Sequence, residues 1–203
     1  MAHTPEQNPV VLVHGIDDTA SKMARMQRFL EAEGWVAASI SLSPNNGDAG
    51  LESLAEQLAE FIDETFGNQR FVDLIGFSMG GLVTRYYVQR LGGIHRVQRF
   101  LTISSPHHGT WVGYLRQNRG ASQMRPSSHF LNELNQDVDM LDQLQFTSMW
   151  TPFDLMILPT TSSRLPVGDE LQVPVLLHPW MVSDRRCLRA IAIRLTQPLL
   201  ESK

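Results

Sequence analysis

Apolar residues fall along this chain in two rhythms, short β-branched runs and longer stretches at helical spacing, and the two succeed one another. Val10-Val11-Leu12-Val13 is an unbroken apolar run ending at His14-Gly15-Ile16-Asp17-Asp18. It predicts a strand buried on both faces and the loop that leaves it. Met23, Met26, Phe29 and Leu30 then recur at helical spacing behind the capping candidates Thr19 and Ser21, and Gly34 stops that helix. Residues 35–42 predict a second strand, and the turn residues from Pro44 to Gly50 a loop. Leu51, Leu54, Ala55, Leu58, Phe61, Ile62 and Phe66 line one side of a further helix, with glutamates opposite and Gly67 at its end. A strand from Phe71 to Ile75, a glycine-rich turn and a helix carrying Val83, Tyr87 and Leu91 come next, closed by Gly92-Gly93. Arg99 to Ser104 forms a fourth strand that runs into Ser105-Pro106-His107-His108-Gly109-Thr110.

The rhythm breaks over residues 111–150. There we expect an excursion above the sheet with one helix, through Leu131, Leu134, Val138, Leu141 and Leu144. It resumes with a strand at 153–159, a loop over 160–170 and a last strand from Val173 to Leu177. Asp184 caps a closing helix bearing Leu188, Ile191, Ala192 and Leu195. Strands alternating with helices predict an α/β fold: a doubly wound, mostly parallel sheet of about six strands wrapped on both faces. Residues 1–203 are read as a single domain, with 111–150 as a cap or lid-like insertion. Functional residues in such sheets gather at the carboxyl ends of strands, where His14, Ser78 and His107 stand.

The stretch Gly76-Phe77-Ser78-Met79-Gly80-Gly81 concentrates the chemistry. A serine between glycines, after an apolar strand and before a helix, is the signature of a nucleophile elbow, a turn so tight that large side chains do not fit beside it. Gly76 and Gly80 fill the crowded positions. The hydroxyl of Ser78 stands at the amino end of the following helix, where unpaired backbone N–H groups favour developing negative charge.

A serine hydroxyl needs a base to take its proton and a carboxylate to hold that base. In α/β-hydrolases these follow the serine in the order acid, then histidine. His178, directly after the last predicted strand, is the histidine that fits. Asp154 abuts an apolar strand and is the expected acid, with Asp169 in reserve; Glu133, Asp137, Asp139 and Asp142 fall on the polar side of a helix. His107 and His108 precede every candidate acid and read as shaping their loop, while His3, His95 and His129 read as surface or structural. Two backbone donors are needed for the oxyanion, and we expect the N–H groups of Met79 and Ile16. His14, Gly15, Gly76, Phe77 and Gly80 shape the surroundings.

Composition and charge change the picture in four places. The 203 residues, 42% of them hydrophobic, suffice for one compact core. The single cysteine, Cys187, rules out an internal disulfide and any cysteine-based metal site. The segment from Met1 to Pro9 has no basic or apolar leader character and no stretch approaches a membrane span, so the expected location is the cytoplasm, peripheral to a membrane at most. Net charge is −4, with no acidic residue between Asp73 and Glu133 and Arg85, Arg90, Arg96, Arg99, Arg116, Arg119 and Arg125 inside that gap. These arginines either lean on an anionic surface or pair with the acid-rich first third. Trp111, Tyr114, Leu115, Arg116 and Arg119 form a candidate lid or interfacial segment with transient membrane contact.

The segments VVLVHGI, VDLIGFSMGGLVTRYYVQRLGG, ISSPHHGT, MRPSSHFLNELN, PFDLMILPTTS and VLLHPWMVSD, in that order, resemble the small bacterial triacylglycerol lipases and esterases of the α/β-hydrolase family, cyanobacterial lipases included. The resemblance runs from about Pro9 to about Leu195. It implies a cofactor-free serine hydrolase of carboxylic esters in acyl lipids, working through an acyl-enzyme. The family's nucleophile falls on Ser78, its acid on Asp154, its base on His178 and its oxyanion donors on Ile16 and Met79. Membrane galactolipids are a further substrate expectation if the source is photosynthetic. The alternatives are acyl transfer or thioester cleavage by the same residues, or a binding protein on an inactive hydrolase scaffold. An acyl-lipid or small-ester substrate, no nucleic acid, no metal and a monomer complete the expectations.

Overall fold

The computed structural model describes residues 7–199. The expectations for His3 and for the leader character of residues 1–6 lie outside it. In chain order the elements are β1 (Val10–Val13), α1 (Ala20–Ala32), β2 (Ala37–Ile40), α2 (Leu51–Phe66), β3 (Val72–Phe77) and α3 (Met79–Arg90). There follow β4 (Val97–Ile103), α4 (Arg119–Gln123), α5 (His129–Gln136), β5 (Gln145–Trp150), β6 (Asp169–Gln172) and α6 (Arg185–Leu195). The six strands make one sheet in the order β2-β1-β3-β4-β5-β6. Every neighbouring pair is parallel.

A parallel sheet needs cover on both faces, and the two apolar clusters supply it. On one side α2 and α3 lay Leu51, Leu54, Leu58, Ile62, Leu82 and Val83 against Val11, Val13, Leu74 and Phe100. On the other, α1 and α6 set Met23, Met26, Leu30, Leu188 and Ile191 against Val10, Leu12, Ile75 and Leu101. Each large aliphatic side chain so buried contributes about 1.5–3 kcal/mol. The alternation of residues in β1 between the two clusters is the pleat of a strand read from both sides.

Local signals act as the sequence predicts at most termini. Thr19 caps α1 by accepting from the Ser21 N–H, and Asp184 caps α6 by accepting from that of Arg186. Gly34 and Gly67 follow α1 and α2 with positive φ, a backbone region that favours glycine.

Four assignments are corrected. The strand expected at 153–159 is a loop of turns and bends; Pro152 and Pro159 bound it and donate nothing to a ladder. The sheet instead resumes earlier, at Gln145–Trp150, so the excursion over the sheet ends at Leu144 rather than at residue 150. The last strand is Asp169–Gln172 rather than Val173–Leu177, because Pro174 interrupts that run; only the Val173 N–H still reaches the Trp150 carbonyl, at 2.8 Å. The single helix expected through Leu144 is two pieces, α5 and a 3-10 turn over Val138–Gln143. The second strand is confined to Ala37–Ile40.

Candidate active site

The strand order reverses at β1 and β3, which pair with Val13 opposite Gly76. The carboxyl ends of these strands therefore deliver the His14–Ile16 loop and the elbow side by side. Ser78 sits between β3 and α3 with φ 53° and ψ −122°, a conformation that costs a non-glycine residue on the order of 1–3 kcal/mol. The surroundings hold it there: its N–H donates to the Ile103 carbonyl at 2.8 Å, and its carbonyl accepts from the Gly81 N–H at 3.0 Å. A Cβ on Gly76 would meet Thr84 Oγ1 at 2.5 Å and Gly81 Cα at 2.6 Å. One on Gly80 would run into the carbonyls of Val13 and His14.

Asp154 and His178, far apart in the chain, meet here. His178 Nδ1 lies 2.7 Å from Asp154 Oδ2, and both side chains are buried, at 8% and 2% exposure. An ionised carboxylate only accepts, so Nδ1 carries the hydrogen and Nε2 keeps its lone pair. Asp154 Oδ1 accepts from the N–H groups of Met156 and Ile157, each at 2.9 Å. Burial alone would raise the Asp154 pKa, but the His178 hydrogen bond and charge and these two N–H groups outweigh it and hold it below the usual value. The imidazole packs on the ring of Phe77, the residue before Ser78, at 4.8 Å between centroids. Ser78 is 7% exposed, and its hydroxyl makes no hydrogen bond to His178 among the described residues. Such bonds are often loose without substrate and tighten in the complex. Asp169, the reserve acid, pairs with Arg194 instead.

The loop after β1 is braced by His14. Its Nε2 accepts from the Leu42 N–H at 2.9 Å, so Nδ1 holds the hydrogen facing the Gly15 carbonyl at 2.7 Å. Burial lowers its pKa. Gly15 lies against the elbow, where a Cβ would come within 3.1 Å of Ser78 Cβ. In that loop the Asp17 and Asp18 N–H groups are bonded to the Asn45 and Gly15 carbonyls, whereas those of Ile16 and Met79 donate to no backbone carbonyl among the described residues. Ile16 and Ser78 line one small cavity.

His107 and Arg85 form a buried network that the sequence did not announce. Arg85, fully buried on α3, donates to Gln89 Oε1 (3.1 Å), Asn135 Oδ1 (3.0 Å), the Leu134 carbonyl (2.9 Å) and His107 Nδ1 (3.4 Å). Burial pushes its pKa down to about 9. His107 Nε2–H is left to donate to Thr102 Oγ1 at 2.9 Å, and burial with the Arg85 charge holds its pKa well below the ordinary histidine value. The elbow helix is thus pinned to α5 and to the loop after β4.

The other arginines of the acid-free segment are also engaged. Arg90 pairs with Asp137, Arg96 with Asp63, Arg99 with Asp73, Arg116 with Asp17 and Arg119 with Glu52. Arg125 lies over the Tyr114 ring at 4.9 Å. Trp111 and Tyr114 stack at 5.6 Å and remain exposed, as do Leu115, Phe153 and Leu155 nearby. Thr110, which sequence reading passed over, joins these segments: its hydroxyl donates to the Met156 carbonyl (2.8 Å) and accepts from the Leu158 N–H (3.0 Å). A lone threonine in a loop carries no signal of that role. No group of metal-ligating side chains occurs among the described residues, and no helix there is long and apolar enough to cross a membrane.

The sheet, the elbow and the paired aspartate and histidine on the strand-end loops define the α/β-hydrolase class. Within it, the model of the palmitoyl protein thioesterase family matches residues 9–112, and the chain belongs to that family. Over 107 residues, 51% of this chain, it is 30% identical to the lysosomal thioesterase PPT2 homolog of Drosophila melanogaster, a match covering 37% of that protein's length. Among solved structures, Bacillus licheniformis lipase BlEst2 in mature form superposes with a TM-score of 0.79 at 19% identity, over 95% of this chain and 94% of that one. Aspergillus fumigatus lipase B gives 0.80 at 18% identity over 94% of this chain and 53% of its own. The thioesterase domain from the curacin biosynthetic pathway gives 0.65 at 12% over 96% and 92%. At these identities the solved structures speak for the fold.

Proposed function

We propose that the protein is a serine hydrolase that cleaves acyl esters or thioesters through an acyl-enzyme. The observation that carries this reading is the buried Asp154–His178 hydrogen bond beside the elbow that holds Ser78. Ser78 Oγ attacks the acyl carbonyl while His178 Nε2 takes its proton, and Asp154 steadies the imidazolium that forms. The N–H groups of Ile16 and Met79 receive the oxyanion, each such donor being worth about 3–4 kcal/mol of barrier. The tetrahedral adduct collapses, His178 returns the proton to the departing alcohol or thiol, and water repeats the sequence to free the acid.

Family membership favours a thioester, and the sequence resemblance favours an oxygen ester of a glycerolipid, galactolipids included; both leaving groups suit the same machinery. We also include contact with a lipid surface. Because the arginines of the lid segment are tied into ion pairs, the exposed rings of Trp111 and Tyr114 with Leu115 would carry that contact. Side-by-side turnover of p-nitrophenyl butyrate and a butyryl thioester tests the hydrolase reading. Both rates are expected to vanish in Ser78→Ala; undiminished turnover by that variant ends the proposal, and transfer to a competing alcohol in preference to water would redefine it as acyl transfer.

A further inference from the structure

The cavity that Ser78 opens into is small, about 140 Å³. Val112, Ala121, Met124, Met156 and Ile157 give it apolar walls. An apolar cavity of roughly 150 Å³ accommodates a benzene ring, about six carbons. Part of its lining is fastened to a neighbouring loop. Arg116 and Asp17, both lining the cavity, form a half-exposed ion pair. Arg116 also donates to the Asn46 carbonyl at 3.1 Å, and Asn118 Nδ2 does so at 2.9 Å. The Gly120 N–H reaches the Gly47 carbonyl at 2.7 Å. The segment that lines the cavity is therefore tied to the loop before α2 by several bonds, and α4 behind it is closely packed. A Cβ on Gly113 would already meet the Ala121 carbonyl at 3.0 Å and one on Gly120 the Ala49 carbonyl at 2.9 Å.

Resting on the reading of Ser78 as the acylated group, we propose that this pocket selects short acyl chains of about four to six carbons, with Ala121 and Met124 setting its end and the Arg116–Asp17 pair part of its lining. A chain of palmitoyl length is roughly three times what such a volume encloses, so most of it would lie outside the cavity. Catalytic power would then be spent on small acyl groups, whatever the size of the alcohol or thiol outside the mouth.

The test is a series of p-nitrophenyl esters from acetate to palmitate, each assayed below its aggregation threshold. We expect kcat/KM to peak at butyrate or hexanoate and to fall at least about ten-fold by decanoate, in keeping with the roughly ten-fold or more that one methylene can be worth in an apolar pocket. Ala121→Leu should move the optimum toward acetate and Met124→Ala toward octanoate, read as ratios between esters so that a general loss of activity does not enter. A profile that stays level or rises to palmitate overturns the inference while leaving the hydrolase reading intact, as does an unmoved optimum in both variants. Turnover of no ester or thioester, acetate included, overturns both.

Discussion

Replacing Asp154 by asparagine isolates the role of one charge without changing the volume of the side chain. In the native site the carboxylate accepts three hydrogen bonds: Oδ1 from the Met156 and Ile157 N–H groups at 2.9 Å each, Oδ2 from His178 Nδ1 at 2.7 Å. Asparagine has one acceptor oxygen. The two backbone donors claim it, since each buried N–H left unpaired costs about 1–3 kcal/mol. The amide nitrogen then faces Nδ1 and can only donate, so the imidazole hydrogen moves to Nε2, where the lone pair needed to accept the Ser78 proton is lost. In hydrolases with this arrangement such an exchange lowers kcat by about 10⁴, equivalent to ~5.4 kcal/mol of barrier. KM should change little. Stability carries an independent signature. Asp154 is held below its unfolded value, so its contribution is present above the unfolded carboxylate pKa of about 3.9 and is lost as pH falls through the lower folded value. Asp154→Asn removes that acid-side dependence. The assay is steady-state hydrolysis of p-nitrophenyl butyrate by both proteins, with urea unfolding to certify the fold. A folded variant that keeps kcat within about ten-fold would refute the tautomer argument.

Two further outcomes are expected. Flotation with neutral phosphatidylcholine vesicles should bring the protein up, addition of anionic lipid should add little, and a Trp111→Ser, Tyr114→Ser, Leu115→Ser variant should stay down; binding that requires anionic lipid, or none at all, would remove the apolar contact from the proposal. His107 is buried and neutral with a lowered pKa, so its unfolded form binds a proton first as pH drops below about 6.5, and the protein should lose up to ~1.4 kcal/mol per pH unit from this residue down to the folded value. His107→Gln, which can still accept from Arg85 and donate to Thr102, should lose less between pH 7 and 5.5 in urea titrations; equal losses would sink the account.

Short-range chemistry made much of the site legible. The glycines around Ser78 are dictated within a few residues of chain, because the turn has no room for Cβ atoms, and the structure finds the serine there in a strained conformation. Chain order picks His178, and an apolar run read as a strand picks Asp154 among several acids; the two are hydrogen-bonded in the fold although that run is a loop. The strands after β4 were not legible. Thr147 and Ser148 interrupt the apolar signal of β5 yet are buried, while Phe153, Leu155 and Met156 look like core and face solvent. Hydrophobicity reports what a side chain prefers, and around a binding mouth that preference is not satisfied within the chain.

The sequence by itself determined the alternation of strands and helices, the elbow and the identity of the side chains available for chemistry, because these rest on periodicity and on backbone sterics between near neighbours. Tertiary structure alone decided which strands lie in the sheet's second half, that Arg85 is buried among neutral acceptors rather than on the surface, and that Arg116 reaches Asp17 where both line a cavity of about 140 Å³. Those outcomes depend on distances between segments remote in the chain, and a pattern of polar and apolar positions carries no record of such distances.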